Sequence, residues 1–204
     1  VDDEAVRDAA RQEIIRRYYS GLCDRRQGKA DDSVVYKLEL LMQQAKADAA
    51  QRPVISAAAQ VAEETGSPAF AIELPDGQVV TGKTSELLGA CSAALLNALK
   101  ALAGIDHSVH VISPKAIEPI QTLKVDHLGS ANPRLHSDET LIALAISAAT
   151  DPAAAKALDQ LSALRRCEAH STVILSQVDS GNCAKLGLHL TSEPQYETNK
   201  LYHR

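Results

Sequence analysis

Gly77, four intervening residues and then Gly82-Lys83-Thr84 reproduce the G-x-x-x-x-G-K-[ST] spacing of a loop that wraps a nucleotide triphosphate. In such a loop, successive backbone N–H groups curl inward onto phosphate oxygens. Here the span between the glycines is Gln78-Val79-Val80-Thr81, and β-branched residues favour extended backbone. Asp76-Gly77 in front of it is a hairpin turn signal. The stretch therefore reads as a strand, with Gly77 as a turn residue, and the triphosphatase class is set aside. What remains is a smaller anion site. Lys83, Thr84 and Ser85 stand where a helix is expected to begin, so an ammonium, two hydroxyls and unpaired N–H groups would face a phosphate or carboxylate. The alternative is that Thr84 or Ser85 is simply the helix cap.

Two other groups carry reactive side chains. Ser130 to Glu139 gathers Asn132, Arg134, His136, Asp138 and Glu139 in a loop and the helix start after it. There Arg134 would grip an anionic ligand while His136 moves a proton; the competing reading is a solvated loop capped by Ser137 or Asp138. Cys167-Glu168-Ala169-His170 precedes an apolar run expected to be a strand, so these side chains project at a sheet end, where α/β proteins bind ligands. A Cys167 thiol with His170 as base, or a metal site borrowing His136, is the chemistry this pattern allows. The spacing matches no zinc motif, so no metal is expected. His107, His110, His127, His189 and His203 lack partner spacing and read as surface or structural residues.

The whole composition narrows the partners. A net charge of −5 and 3% aromatic residues argue against a nucleic-acid partner. No apolar run approaches the roughly 20 residues that cross a bilayer, so no membrane partner is expected. Four scattered cysteines without a C-x-x-C pair suit reduced thiols and a cytoplasmic setting. The chain starts at Val1 rather than Met, which reads as a piece of a longer protein or as N-terminal processing.

Period-3.6 patterning predicts helices over 3–22, from Asp32 or Ser33 onward, and from Pro53 to Gly66, so residues 1–65 form a helical subdomain. From residue 66 the pattern changes. Phe70–Leu74 and Gln78–Thr81 read as a hairpin, followed by a helix over 86–103, a strand Val109–Ile112 and a helix from Pro114 to about His127. Helices from Ser137 or Asp138 to Thr150 and over 152–164 lead to a strand Ser171–Leu175, a short helix 182–186 and a last strand 187–190. Residues 66–204 thus read as a three-layer α/β sandwich with a mixed sheet.

This order resembles the cytidine-deaminase-like fold, and AIELPDGQVVTGKTSELLGACSAALLNALKALAG resembles that fold's hairpin and first helix. The zinc site of such enzymes needs Cys or His, a Glu two residues later, and P-C-x-x-C. Here Cys91-Ser92-Ala93 and Pro114-Lys115-Ala116-Ile117-Glu118 stand in those places, so zinc deamination is not expected. Over almost the whole chain, QEIIRRYYSGLCDRRQGKADDSVVYKLELLM, AIELPDGQVVTGKTSELLGACSAALLNALKALAGI, LGSANPRLHSDETLIALAISAATDPAAAKAL and CEAHSTVILSQVD resemble the C-terminal half of the bacterial domain-of-unknown-function family 1846. The resemblance implies a longer bacterial protein whose preceding portion holds any nucleotide. No cofactor is then expected in this chain. The two functional readings are a module binding a small anionic or nucleotide-like ligand, acting with the N-terminal part of the same protein, and a homo-oligomerisation module without a ligand site.

Overall fold

The computed structural model describes residues 2–197. Three helices come first: α1 (Asp2–Arg26), α2 (Asp32–Ala45) and α3 (Pro53–Thr65). The cap of α2 is Asp31, whose carboxylate accepts from the N–H groups of Ser33 and Val34 at 2.9 and 3.2 Å. Lys46, at φ 51°, ends that helix in the left-handed region. Pro53 opens α3 because its missing N–H needs no partner in a first turn, and Gly66 closes it at φ 63°.

The hairpin expected from Asp76-Gly77 pairs β1 (Ala69–Glu73) with β2 (Val79–Lys83), Ala69 opposite Lys83 and Glu73 opposite Val79. Gly77 turns it at φ 84°, so the first glycine of the phosphate-loop spacing is a turn residue. The second has a different reason. A Cβ on Gly82 would lie 2.2 Å from the backbone nitrogen of Ala94, because α4 (Ala90–Leu102) crosses the hairpin there.

Four more helices and two strands follow: α5 (Pro114–Thr122), α6 (Ser137–Ala148), α7 (Pro152–Leu158), β3 (Glu168–Ser171), α8 (Gln177–Leu186) and β4 (His189–Ser192). The sheet order is β2-β1-β3-β4, antiparallel except for the β3–β4 pair, which places the chain in the mixed-sheet α/β class. Several expected elements differ. Val109–Ile112 is a loop, not a strand: β3 occupies the edge of β1, and Val111 and Ile112 reach the core without any ladder. The predicted strand Ser171–Leu175 lies three residues too late, since the strand itself is Glu168-Ala169-His170-Ser171, with two polar residues turned inward. The helix expected from Glu86 begins at Ala90. The one expected to reach His127 breaks into α5 and a wide turn, Leu123–His127, and Leu161–Leu164 is a separate short turn after α7. His203 and the end of the predicted polar tail lie outside the described residues.

Alternation along β1 sends its residues to both faces. Phe70 and Ile72 join Leu95 and Leu99 of α4, Leu144 of α6, and Ala169 in the main core, while Ala71 packs with Val54 and Ala58 of α3. Against β3 and β4, α1 is fastened by polar contacts instead. Arg52, whose side chain is fully buried, donates to Glu168, to the carbonyls of Ala169 and His189 at 3.2 and 3.0 Å, and to Thr191 Oγ1 at 3.3 Å. Arg16 of α1 reaches the same Glu168 at 2.9 Å, and His189 Nδ1 lies 3.1 Å from it. A buried guanidinium is tolerated because its two terminal nitrogens find carboxylate, carbonyl and hydroxyl partners, while Nε alone has none.

Candidate functional site: a histidine held by a buried carboxylate

Leu135-His136-Ser137 threads between three helix N-termini. The Leu135 carbonyl accepts from Gly89, which precedes α4, at 3.3 Å and from Ser92 Oγ at 3.0 Å. His136 is the residue before α6, and its N–H donates to Glu139 at 2.8 Å. Facing it is the start of α8, where Ser176 Oγ accepts from the Asp179 N–H at 3.1 Å. Each of these ends carries partial positive charge.

Asp179 sits at their meeting point, 8% exposed. Its carboxylate accepts from the Ser137 N–H at 2.8 Å and from Ser176 Oγ at 3.0 Å, and lies 3.1 Å from His136 Nδ1. Asn182 Nδ2 donates to Ser137 Oγ at 2.9 Å and steadies the same turn. Burial pushes the Asp179 carboxyl upward, but the bonds from His136 and Ser137 outweigh it and hold the group below its ordinary value. The Asp179 bond in turn raises His136, against an opposing pull from burial. With Nδ1–H committed to Asp179, the His136 ring is orientated and its Nε2 edge belongs to a side chain 31% exposed. An imidazole fixed this way can donate to an anion when protonated and accept a proton when neutral.

The structure brings some of the expected residues together. Asn132 Oδ1 accepts from the Arg134 N–H at 3.1 Å, so Asn132 shapes the loop that carries Arg134 and His136. The Arg134 guanidinium pairs with Glu197 at 2.7 Å, both side chains more than a third exposed. Ser85 lies on a segment that runs beside Leu135, with Leu87 O accepting from the Leu135 N–H at 2.9 Å. Its hydroxyl, however, closes a turn by accepting from Leu87 and Leu88 at 3.3 and 3.1 Å. Since α4 starts at Ala90, Lys83, Thr84 and Ser85 do not form a helix start. Lys83 is exposed at the end of β2, and the Thr84 N–H is paired with Pro68 O at 2.9 Å.

Other expected groups lie apart. Cys167 faces the main core and donates to Ala163 O at 3.5 Å, and burial raises its thiol, so it is poorly suited to nucleophilic attack. His170 turns to the α1 side, 2.9 Å from Thr191 Oγ1 and edge-on to Tyr19 at 5.4 Å between ring centres. Tyr19 is itself pushed up to about 12, chiefly by burial. The thiol–imidazole pair is therefore not formed. Among the described residues, no group of three or more His, Cys, Asp or Glu side chains could hold a metal ion. Cys91 sits in the first turn of α4, but its sulfur lies 3.6 Å from that of Cys183 and its thiol is held well above the ordinary value, first by that contact and then by burial.

Sequence reasoning missed Asp179 and Ser176. Ser176-Gln177-Val178-Asp179 has the S-x-x-[DE] form of a helix cap, which could have marked the start of α8. Two surface hollows, of about 430 Å³ near Asn97, Lys100 and His107 and about 410 Å³ near Thr172 and Glu193, do not include His136.

Comparison with known proteins places the chain. The family model described as "Domain of unknown function DUF1846, C-terminal" matches residues 50–202, and "Domain of unknown function DUF1846, N-terminal" matches residues 1–46. The chain belongs to the DUF1846 family. The match is wider than a C-terminal half alone, because α1 and α2 fall in the N-terminal family model. A UPF0371 protein of Corynebacterium efficiens is 54% identical over 203 residues, covering 100% of this chain and 41% of the relative. A UPF0371 protein of Streptococcus thermophilus is 51% identical with the same coverage. The chain thus spans well under half the length of these bacterial relatives. Among the described residues, no helix is long and apolar enough to cross a membrane.

Proposed function

We propose that this DUF1846 segment is a ligand-binding module of a larger bacterial cytoplasmic protein, taking a small anionic or nucleotide-like molecule at His136. The observation that carries the reading is the His136–Asp179 pair among three helix N-termini. A protonated imidazole anchored on a buried carboxylate offers a directed N–H to an anion, and the helix dipoles add to that attraction. Arg134, one loop residue away, supplies a second cation once it exchanges Glu197 for the ligand. The β1–β2–α4 unit supports a deaminase-like scaffold for the module. Zinc deamination is not part of the proposal, since Ala93, Lys115 and Glu118 offer neither the proton shuttle nor the thiolates it needs. Any nucleotide cofactor would be held by the portion of the protein that precedes these residues.

A thermal-shift screen of the chain against inorganic phosphate, nucleoside phosphates, phosphorylated metabolites and dicarboxylates tests the reading. At ligand concentrations near 100 times Kd, stabilisation of about 2.7 kcal/mol is expected. It should vanish in His136→Gln and weaken in Arg134→Ala. Stabilisation that survives His136→Gln unchanged would place the ligand elsewhere and overturn the assignment.

A further inference from the structure

Helix α2 has more apolar surface than its neighbours cover. Val35 is buried, and Leu38, Met42 and Ala45, on the same side at three- and four-residue spacing, are partly buried in the packing of α2 on α1. The far side should then be polar. Instead Tyr36 is 61% exposed, Leu41 43%, Val34 40% and Leu40 37%. At 100° per residue Tyr36 and Leu40 border one flank of the exposed side and Val34 and Leu41 the other, with Ser33, Lys37 and Gln44 between them and Asp32, Glu39 and Gln43 as a further polar stripe. Four large apolar side chains exposed on one helix form a surface that a partner would normally cover.

The family match says what lies on the second side. The N-terminal DUF1846 model ends at residue 46, the last turn of α2, and the C-terminal model begins at residue 50. The relatives extend well beyond the 41% of their length that this chain covers. By family membership α1 and α2 are therefore the last part of the N-terminal domain. Yet α1 is held to the C-terminal part through Arg16, which pairs with Glu168, and Gln12, which accepts from Arg52 at 3.2 Å. We infer that the Val34–Tyr36–Leu40–Leu41 face of α2 is the docking surface for the rest of the N-terminal DUF1846 domain of the same polypeptide, so that the helix pair joins the two domains. Its occupant is independent of any ligand at His136.

The test compares two backgrounds: the 204-residue chain, and a longer chain in which the preceding portion of the Corynebacterium efficiens relative is fused ahead of it. Leu40→Glu with Leu41→Glu should leave the melting temperature of the short chain within a degree or so, since both positions face solvent there. In the longer chain the same pair should lower it by several degrees, whereas Glu39→Lys with Gln43→Lys on the polar stripe should not. Hydrogen exchange of the unsubstituted proteins gives a second readout: amides of residues 36–42 should exchange at least roughly tenfold more slowly in the longer chain. Equal exchange in both backgrounds would overturn the inference. So would a short chain that sediments as a dimer and becomes monomeric with Leu40→Glu and Leu41→Glu, which would give the face to a second copy.

Discussion

The charge on His136 is governed by a partner that cannot leave. Asp179 is buried and fixed by two bonds other than the imidazole, so it stays ionised and keeps its hold on Nδ1. The folded-state value of His136 is thereby raised above the ordinary one near 6.5. For a raised imidazole the sign is definite: the stabilisation is fully present below the unfolded value and is lost as pH rises through the folded one. The unfolding free energy of the wild type should therefore exceed that of His136→Gln most at pH below about 6.5, by an amount on the order of 1 kcal/mol because the ring is part-exposed. The gap should narrow as the solution becomes alkaline. It should also narrow at strongly acid pH, where Asp179 protonates. A gap that widens with rising pH would show that Asp179 does not charge the ring. Of these residues, His136 and Arg134 were legible in the sequence as a polar loop with useful side chains. Asp179 was not, because it lies 43 residues away and only the fold brings it to the imidazole.

Elements explain why a spacing that spells a phosphate loop does something else. Gly82 is required by the close crossing of α4, not by a phosphate, and its lack of a side chain is what lets helix and hairpin touch. Gly82→Ala should cost about 3 kcal/mol or more, read by denaturant unfolding, because the obstacle is backbone and cannot rotate away. A loss below 1 kcal/mol would mean that the helix crosses further off. The hairpin itself was readable from Asp76-Gly77 and the Val79-Val80 run, as were α2, α3 and the proline-led helices. Val109–Ile112 misled for a physical reason: burial favours apolar residues whether or not a ladder forms, so two core side chains on a loop imitate a strand. At β3 the opposite occurred, since Glu168 and His170 are polar and yet turned inward onto Arg52 and Thr191. Alternation rules see only hydrophobicity, and that strand is stabilised by charge.

At the scale of the whole molecule, two sides of the chain have different work. One carries α1 and α2, tied to the sheet by the Arg16–Glu168–Arg52 network and presenting an apolar face to the rest of the family's N-terminal domain. The other carries the meeting of α4, α6 and α8 around His136. Whether His136 takes an anion is read from its imidazole ¹H–¹⁵N spectrum, recorded alone and with inorganic phosphate, a nucleoside monophosphate and a dicarboxylate. A ring held by Asp179 should show protonated Nδ1 throughout and a saturable shift of the Nε2 signal with at least one of these anions, absent in Asp179→Asn. An Nε2 signal that none of them moves, or a neutral ring protonated on Nε2 instead of Nδ1, would contradict the proposed role of His136.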